Sequence, residues 1–119
     1  MSVSRGDVVL VPYPQAPGQP PKRRPALVVQ SDHNNSRLSN SIFAMITTNT
    51  SLATREAAQV LIDLATPDGQ ASGLERTSAV KCENLHTLPQ GSVIRTLGRL
   101  PDALMNQVDV ALKAALGIA

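Results

Sequence analysis

Aromatic side chains are nearly absent, with one tyrosine, one phenylalanine and no tryptophan in 119 residues. Modules that hold single strands by stacking bases need several exposed rings. Extensive base stacking is therefore excluded, and any grip on nucleic acid must come from phosphate contacts and hydrogen bonds. Cysteine is as scarce. Cys82 alone cannot build an internal disulfide framework, which fits a reducing cytoplasm. The two histidines, His33 and His86, lie far from it and from each other, so no metal-binding spacing exists. Cys82 reads as a small buried hydrophobe rather than a nucleophile. No apolar run approaches the ~20 residues that cross a bilayer, and no basic-then-apolar segment opens the chain as a secretion signal. The glycines are scattered among turns and form no phosphate-cradling loop, and there is no zinc-deaminase signature. The expectation is one cytoplasmic domain over residues 1–119, without metal, cofactor or membrane contact.

What the chain does have is concentrated between Arg5 and Val29. Asp7 to Val11 is a short apolar run with three β-branched residues, too brief for a helix and suited to a buried strand. Five prolines and Gly18 then fill Pro12 to Pro21. Proline removes a backbone donor and fixes φ, so this segment is expected to be a semi-rigid loop of about ten residues. A second strand is expected from Pro25 to Gln30. The loop delivers Lys22, Arg23 and Arg24 to the mouth of that strand. Three adjacent cations make a local anion site although the formal net charge is only +2, and arginine's planar fork of donors matches phosphate oxygens. The same residues also suit a solvated basic turn.

Farther on, Asp32 to Ser36 has the short polar side chains of a turn. Ser41 to Thr48 is expected to be a strand apolar on both faces, Gln59 to Leu64 a fourth strand, and Ser78 to Leu88 the longest. On that strand strict alternation places Val80, Cys82, Asn84 and His86 on one face, with Lys81, Glu83 and Thr87 on the other. Val93 to Leu100 supplies one more strand. The C-terminus carries the clear helix. Pro101 suits its first position, Asp102 complements the dipole and Gly117 stops it. Leu104, Val108, Ala111, Leu112, Ala115 and Leu116 form its apolar stripe. The fold class is α+β, mainly β: a small barrel with one helix packed against it.

Without metal or cofactor, the polar groups with catalytic potential are few: Arg23 or Arg24, Thr47 and Thr48, Glu83, His86, Arg95 and Arg99. Taken singly, each suits an ordinary surface or strand-end position. Taken in order, they resemble a known family. Arg5-Gly6-Asp7-Val8-Val9, then Arg24-Pro25-Ala26-Leu27-Val28, then Thr47, Ser78-Ala79-Val80, Glu83-Asn84-Leu85-His86-Thr87, Leu97-Gly98-Arg99-Leu100 and Met105-Asn106-Gln107-Val108-Asp109 run in the order of the MazF/PemK toxins. The resemblance covers essentially the whole chain. It implies an SH3-like barrel with a terminal helix, working as a homodimer. It also implies a metal-independent endoribonuclease toxin of a type II toxin–antitoxin pair, cutting single-stranded mRNA at short sequences and so inhibiting translation and growth. Products with 2′,3′-cyclic phosphate and 5′-hydroxyl ends would result, and a cognate antitoxin would lay an acidic, otherwise disordered tail across the RNA groove.

The family's arginine before the strand-two proline and its threonine ending strand three correspond to Arg24 and Thr47. Attack by the RNA's own 2′-hydroxyl requires positioning, charge stabilisation and proton transfers. Arg24 suits clamping the phosphate and donating to the leaving oxygen; as a base it is unsuited, because guanidinium holds its proton. Lys22, Arg23, Thr48, Glu83, Asn84 and Thr87 are the expected RNA contacts. Two departures stand out. His86 occupies the place of a phosphate-binding arginine in many relatives, and Pro89 the place of a carboxylate. Imidazole titrates near ~6.5, so His86 is a candidate acid/base; the alternative is that it caps a barrel edge. Two rival functions stay open: a gyrase-poisoning toxin of the same fold, and a catalytically weak RNA-binding relative.

Overall fold

Six strands form one antiparallel sheet in the order β4-β5-β3-β2-β1-β6. The computed structural model describes residues 2–119. Its elements are β1 (Asp7–Tyr13), β2 (Lys22–Val28), α1 (Asp32–Arg37), β3 (Asn40–Thr47), β4 (Gln59–Ile62), α2 (Pro67–Gln70), β5 (Ser78–Pro89), β6 (Arg95–Arg99) and α3 (Asp102–Leu116). The sheet is strongly curled. Neighbouring strands lie about 4.8 Å apart, so β1 and β5, with β2 and β3 between them, would stand roughly 14 Å apart if flat. Instead the Tyr13 hydroxyl on β1 lies 2.9 Å from the Asn84 carbonyl on β5. The concave face holds a small core of Val9, Val11, Tyr13, Ala26, Val28 and Phe43. The opposite face packs Val8, Leu27, Ala44, Ile46, Val80 and Cys82 against α3. Edges β4 and β6 do not pair with each other, so the expected barrel is realised as an open half-barrel.

Proline shapes β1 and β2 in unexpected ways. β1 continues through Pro12 to Tyr13, and β2 begins at Lys22, which shortens the loop to residues 14–21. Pro12 is tolerated because pairing with β6 stops at Leu10, leaving one edge of the strand free. Pro25 acts on the other side. It pairs with Leu10 of β1, but the ladder to β3 begins only at Ala26↔Met45. With no N–H to offer β3, Pro25 ends that ladder, and β2 and β3 part beyond it.

Other expectations need correction. Asp32–Arg37 is a helix rather than a turn, with Ser31 accepting from the Asn34 N–H at 3.2 Å and Asp32 and Arg37 placed to suit the dipole. The polar side chains cap the segment instead of breaking it. On β5 the alternation flips. Ala44 pairs with Leu85 and Met45 with Lys81, so Cys82, Glu83 and Asn84 are three extra residues in a bulge. An odd insertion reverses the faces. Val80 and Cys82 therefore point to the α3 side, while Asn84 and His86 point to the concave side, where both touch Tyr13. In α3, Pro101 precedes the first turn as its N-cap, and Gly117 closes the helix at φ 69°. Leu104, Met105, Val108 and Ala111 are buried, whereas Leu116 is exposed. No helix among the described residues is long and apolar enough to cross a membrane.

Cys82 is buried, and burial, reinforced by the nearby Glu83 charge, pushes its thiol up to about 12. The thiolate is the reactive form, so the native protein is expected to resist iodoacetamide at pH 8 and to be labelled only after denaturation. Rapid labelling of the folded protein would contradict this.

Candidate active site

The parting of β2 and β3 creates the site. Alternation along β2 puts Arg24 on the concave face with Ala26 and Val28, opposite Val11 of β1. Alternation along β3 puts Thr47 on that face with Phe43 and Met45. Carried two residues past Ala26↔Met45, the register sets Arg24 opposite Thr47, across a mouth where no ladder bonds intervene. Arg24 makes no ion pair among the described residues, whereas Arg5 is tied to Asp109 at 2.7 Å and Arg99 to Asp7 at 3.0 Å. The Thr47 hydroxyl accepts from the Asn49 N–H at 3.1 Å, which leaves its proton to donate outward. A guanidinium without an ion pair and a hydroxyl already accepting from backbone, on the same face at one mouth, suit the clamping of a phosphate oxygen.

Alongside lie residues from β4 and β5. Gln59, Lys81 and Met45 form one cross-strand row on the concave face, two pairs along from Thr47. Gln59 Nε2 donates to Glu83 Oε2 at 2.9 Å, so Glu83 is held by Gln59 rather than by Lys81. Farther along the same face, His86 stands edge-on to Tyr13, ring centroids 5.0 Å apart and planes at 84°. Tyr13 is fully buried, and burial raises its phenol above the ordinary value. Its hydroxyl also lies 3.0 Å from Asn84 Oδ1, while Asn84 Nδ2 donates to Met45 Sδ at 3.7 Å. The Asn84 amide is thus turned inward, and its side chain braces the curl. Phe43 is as fully buried as Tyr13, so neither ring is available to stack on a base.

The structure thus gathers Arg24, Thr47, Glu83, Asn84 and His86 along one concave face, with Lys22 exposed at its rim opposite Tyr13. Three expected contacts fall elsewhere. Arg23 alternates to the opposite face of β2, and Thr87 pairs with Ile42 of the α3-side core. Thr48 lines a cavity of about 490 Å³ with Leu10, Pro25, Arg76 and Arg95. Gln59 and Lys81 were missed, because only the cross-strand register brings them beside Thr47. Among the described residues no three His, Cys, Asp or Glu side chains cluster as a metal site.

The fold is a curled half-barrel with a terminal helix, and sequence comparison supplies the class, that of a small toxin. The family described as PemK-like, MazF-like toxin of type II toxin–antitoxin systems matches residues 4–116. The chain belongs to that family. It is 36% identical to endoribonuclease MazF6 of Mycobacterium tuberculosis, over 99% of this chain and 100% of that protein. It is 30% identical to endoribonuclease EndoA of Bacillus subtilis, over 99% and 97%. In fold it resembles a mycobacterial endoribonuclease solved with its cognate antitoxin, at TM-score 0.79 and 23% identity, over 99% of this chain and 98% of that one. MazF in the MazE–MazF complex of Deinococcus radiodurans is similar at TM-score 0.72 and 20% identity, over 100% and 99%.

Proposed function

We propose that this chain is a metal-independent, sequence-specific endoribonuclease toxin that cuts single-stranded RNA in the cytoplasm. The observation that supports the reading is an Arg24 with no ion pair among the described residues and a Thr47 set opposite it when the Ala26↔Met45 register is extended past the point where Pro25 ends the β2–β3 ladder. Arg24 clamps the scissile phosphate and neutralises the charge that builds on it; Thr47 donates to a second oxygen. With the phosphate so held, the adjacent 2′-hydroxyl attacks in line, the bond to the 5′-oxygen breaks, and a 2′,3′-cyclic phosphate and a 5′-hydroxyl result. His86 exchanges protons from the same concave face. Lys22 extends the positive rim for the RNA backbone. The protein works as a homodimer, and an antitoxin with an acidic tail covers the cationic mouth. Leu104, Met105, Val108 and Ala111 of α3 are consumed by the chain's own core, so they are not a pairing surface.

The test is incubation of a long mixed-sequence RNA in EDTA with the new ends mapped. Cutting at a short recurrent sequence is expected. If folded protein leaves RNA intact, the chain is instead a binding-only relative or a gyrase poison, and gyrase inhibition is the assay that separates these. If His86 carries protons in the reaction, His86→Gln is expected to flatten the pH dependence of the rate. An unchanged profile would reduce His86 to a packing partner of Tyr13.

A further inference from the structure

Among the described residues one buried side-chain polar atom has no partner, and it lies beside the proposed site. Gln59 is 8% exposed, and its Oε1 makes no hydrogen bond with the described residues. Leaving such an acceptor unsatisfied costs about 1–3 kcal/mol, so the site favours any partner, water or ligand, that can donate to it. The amide cannot simply turn over. Its Nε2 donates to the Glu83 carboxylate at 2.9 Å, and the flipped amide would set oxygen against oxygen. Glu83 therefore fixes Gln59 with its acceptor free. Gln59 forms one wall of a small cavity of about 60 Å³ whose other walls include Thr47, Asn49, Ser51 and Lys81.

We propose that Gln59 is a base-reading residue of this ribonuclease: its Oε1 accepts a hydrogen bond from the exocyclic amino group of a nucleobase next to the scissile phosphate. The inference rests on the ribonuclease reading above. The cavity is too small for a ring but admits the edge of one. Its Thr47 wall places that edge within a nucleotide or two of the phosphate that Thr47 contacts. An acceptor held by a carboxylate selects a donor, and adenine, cytosine and guanine carry amino groups where uracil carries carbonyl oxygens. Lys81 on the same wall supplies a donor for a neighbouring ring nitrogen or carbonyl, so the two side chains read a donor–acceptor pair. With no exposed ring available for stacking, such edge contacts are the means of discrimination left to the chain. Sequence selection thus falls in part to a β4 residue that carries no charge.

The experiment first maps the sequence cut by the wild type. It then removes one amino group at a time from the flanking bases, using purine riboside for adenine, 4-deoxy-cytosine for cytosine and inosine for guanine. One such removal is expected to lower wild-type kcat/KM roughly 10- to 100-fold. In Gln59→Met, a variant of the same length, parent and analogue are expected to be cut at equal rates, because the contact is already lost. Equal sensitivity to the analogue in wild type and Gln59→Met would overturn the proposal, as would coupling to a flanking 2′-hydroxyl instead. A flat wild-type response at every position would overturn it without the variant, which covers a Gln59→Met protein that does not fold. A cleavage sequence made only of uracil around the cut would also overturn it. Wild-type protein that cuts no RNA at all would overturn the ribonuclease reading together with this one, whereas normal cutting with a flat analogue series removes Gln59 alone.

Discussion

Arg24→Ala is expected to lower kcat on the order of 10²–10³-fold, the usual effect of removing one preorganised donor from a developing oxyanion, with little change in stability. Both halves of that expectation come from the site. Arg24 joins no ion pair among the described residues, so truncating it breaks no fold contact of that kind. Yet it is the cation whose strand register sets it opposite Thr47, at the mouth that Pro25 opens. Arg24→Lys is expected to recover only part of the rate, because an ammonium is a point charge and cannot present two parallel donors to a phosphate. Unchanged cleavage by a folded Arg24→Ala protein would remove the chemistry from the β2–β3 mouth. Arg95→Ala is the matched control, since Arg95 lines the other cavity and its loss is expected to spare the chemical step.

Phe43→Ala should produce the largest loss of stability, about 3–5 kcal/mol. Phe43 is fully buried in the concave core with Val9, Val11, Tyr13, Ala26 and Val28, a cluster too small to close over the void. Its position also matters. Its backbone pairs with Val28 on one side and His86 on the other, at the strands that the curl must bring round to Tyr13. With native domains only about 5–15 kcal/mol more stable than their unfolded chains, this substitution consumes much of the margin. Urea unfolding at fixed protein concentration measures it, the concentration being held because a dimer's stability depends on it. Val110→Ala on the exposed side of α3 is expected to stay within about 0.5 kcal/mol. A Phe43→Ala loss no greater than that of Val110→Ala would mean that the concave core does not hold the curl.

Much of this fold is legible in the sequence, since short apolar runs broken by proline and glycine give the strands, and Asp102 to Gly117 gives the helix. The arginine and threonine of the mouth are legible too, through their order along the chain. What escaped depends on cross-strand geometry. A three-residue bulge reverses the faces of β5 after Cys82, and no periodicity within β5 announces it; only the register against Ala44 and Met45 does. That reversal carries Asn84 and His86 to the concave face and leaves Thr87 on the other. Pro12 reads as a strand breaker, yet it lies where the β6 ladder has already stopped and stays in β1, while Pro25, expected to open the second strand, lies inside β2 where the β3 ladder stops. Gln59 carries no charge and begins a four-residue strand, and its place beside Thr47 arises only through Lys81 and Met45.

The most direct test of the proposed chemistry replaces a single 2′-hydroxyl. An RNA carrying the cleaved sequence is made with one 2′-deoxynucleotide on the 5′ side of the scissile bond and incubated with the protein in EDTA. The expected result is that this bond alone becomes resistant, while an unmodified copy of the sequence in the same molecule is still cut to a 5′-hydroxyl end. Cutting at the deoxy position at the normal rate would contradict attack by the RNA's own hydroxyl. Water would then be the nucleophile, and no 2′,3′-cyclic phosphate would form.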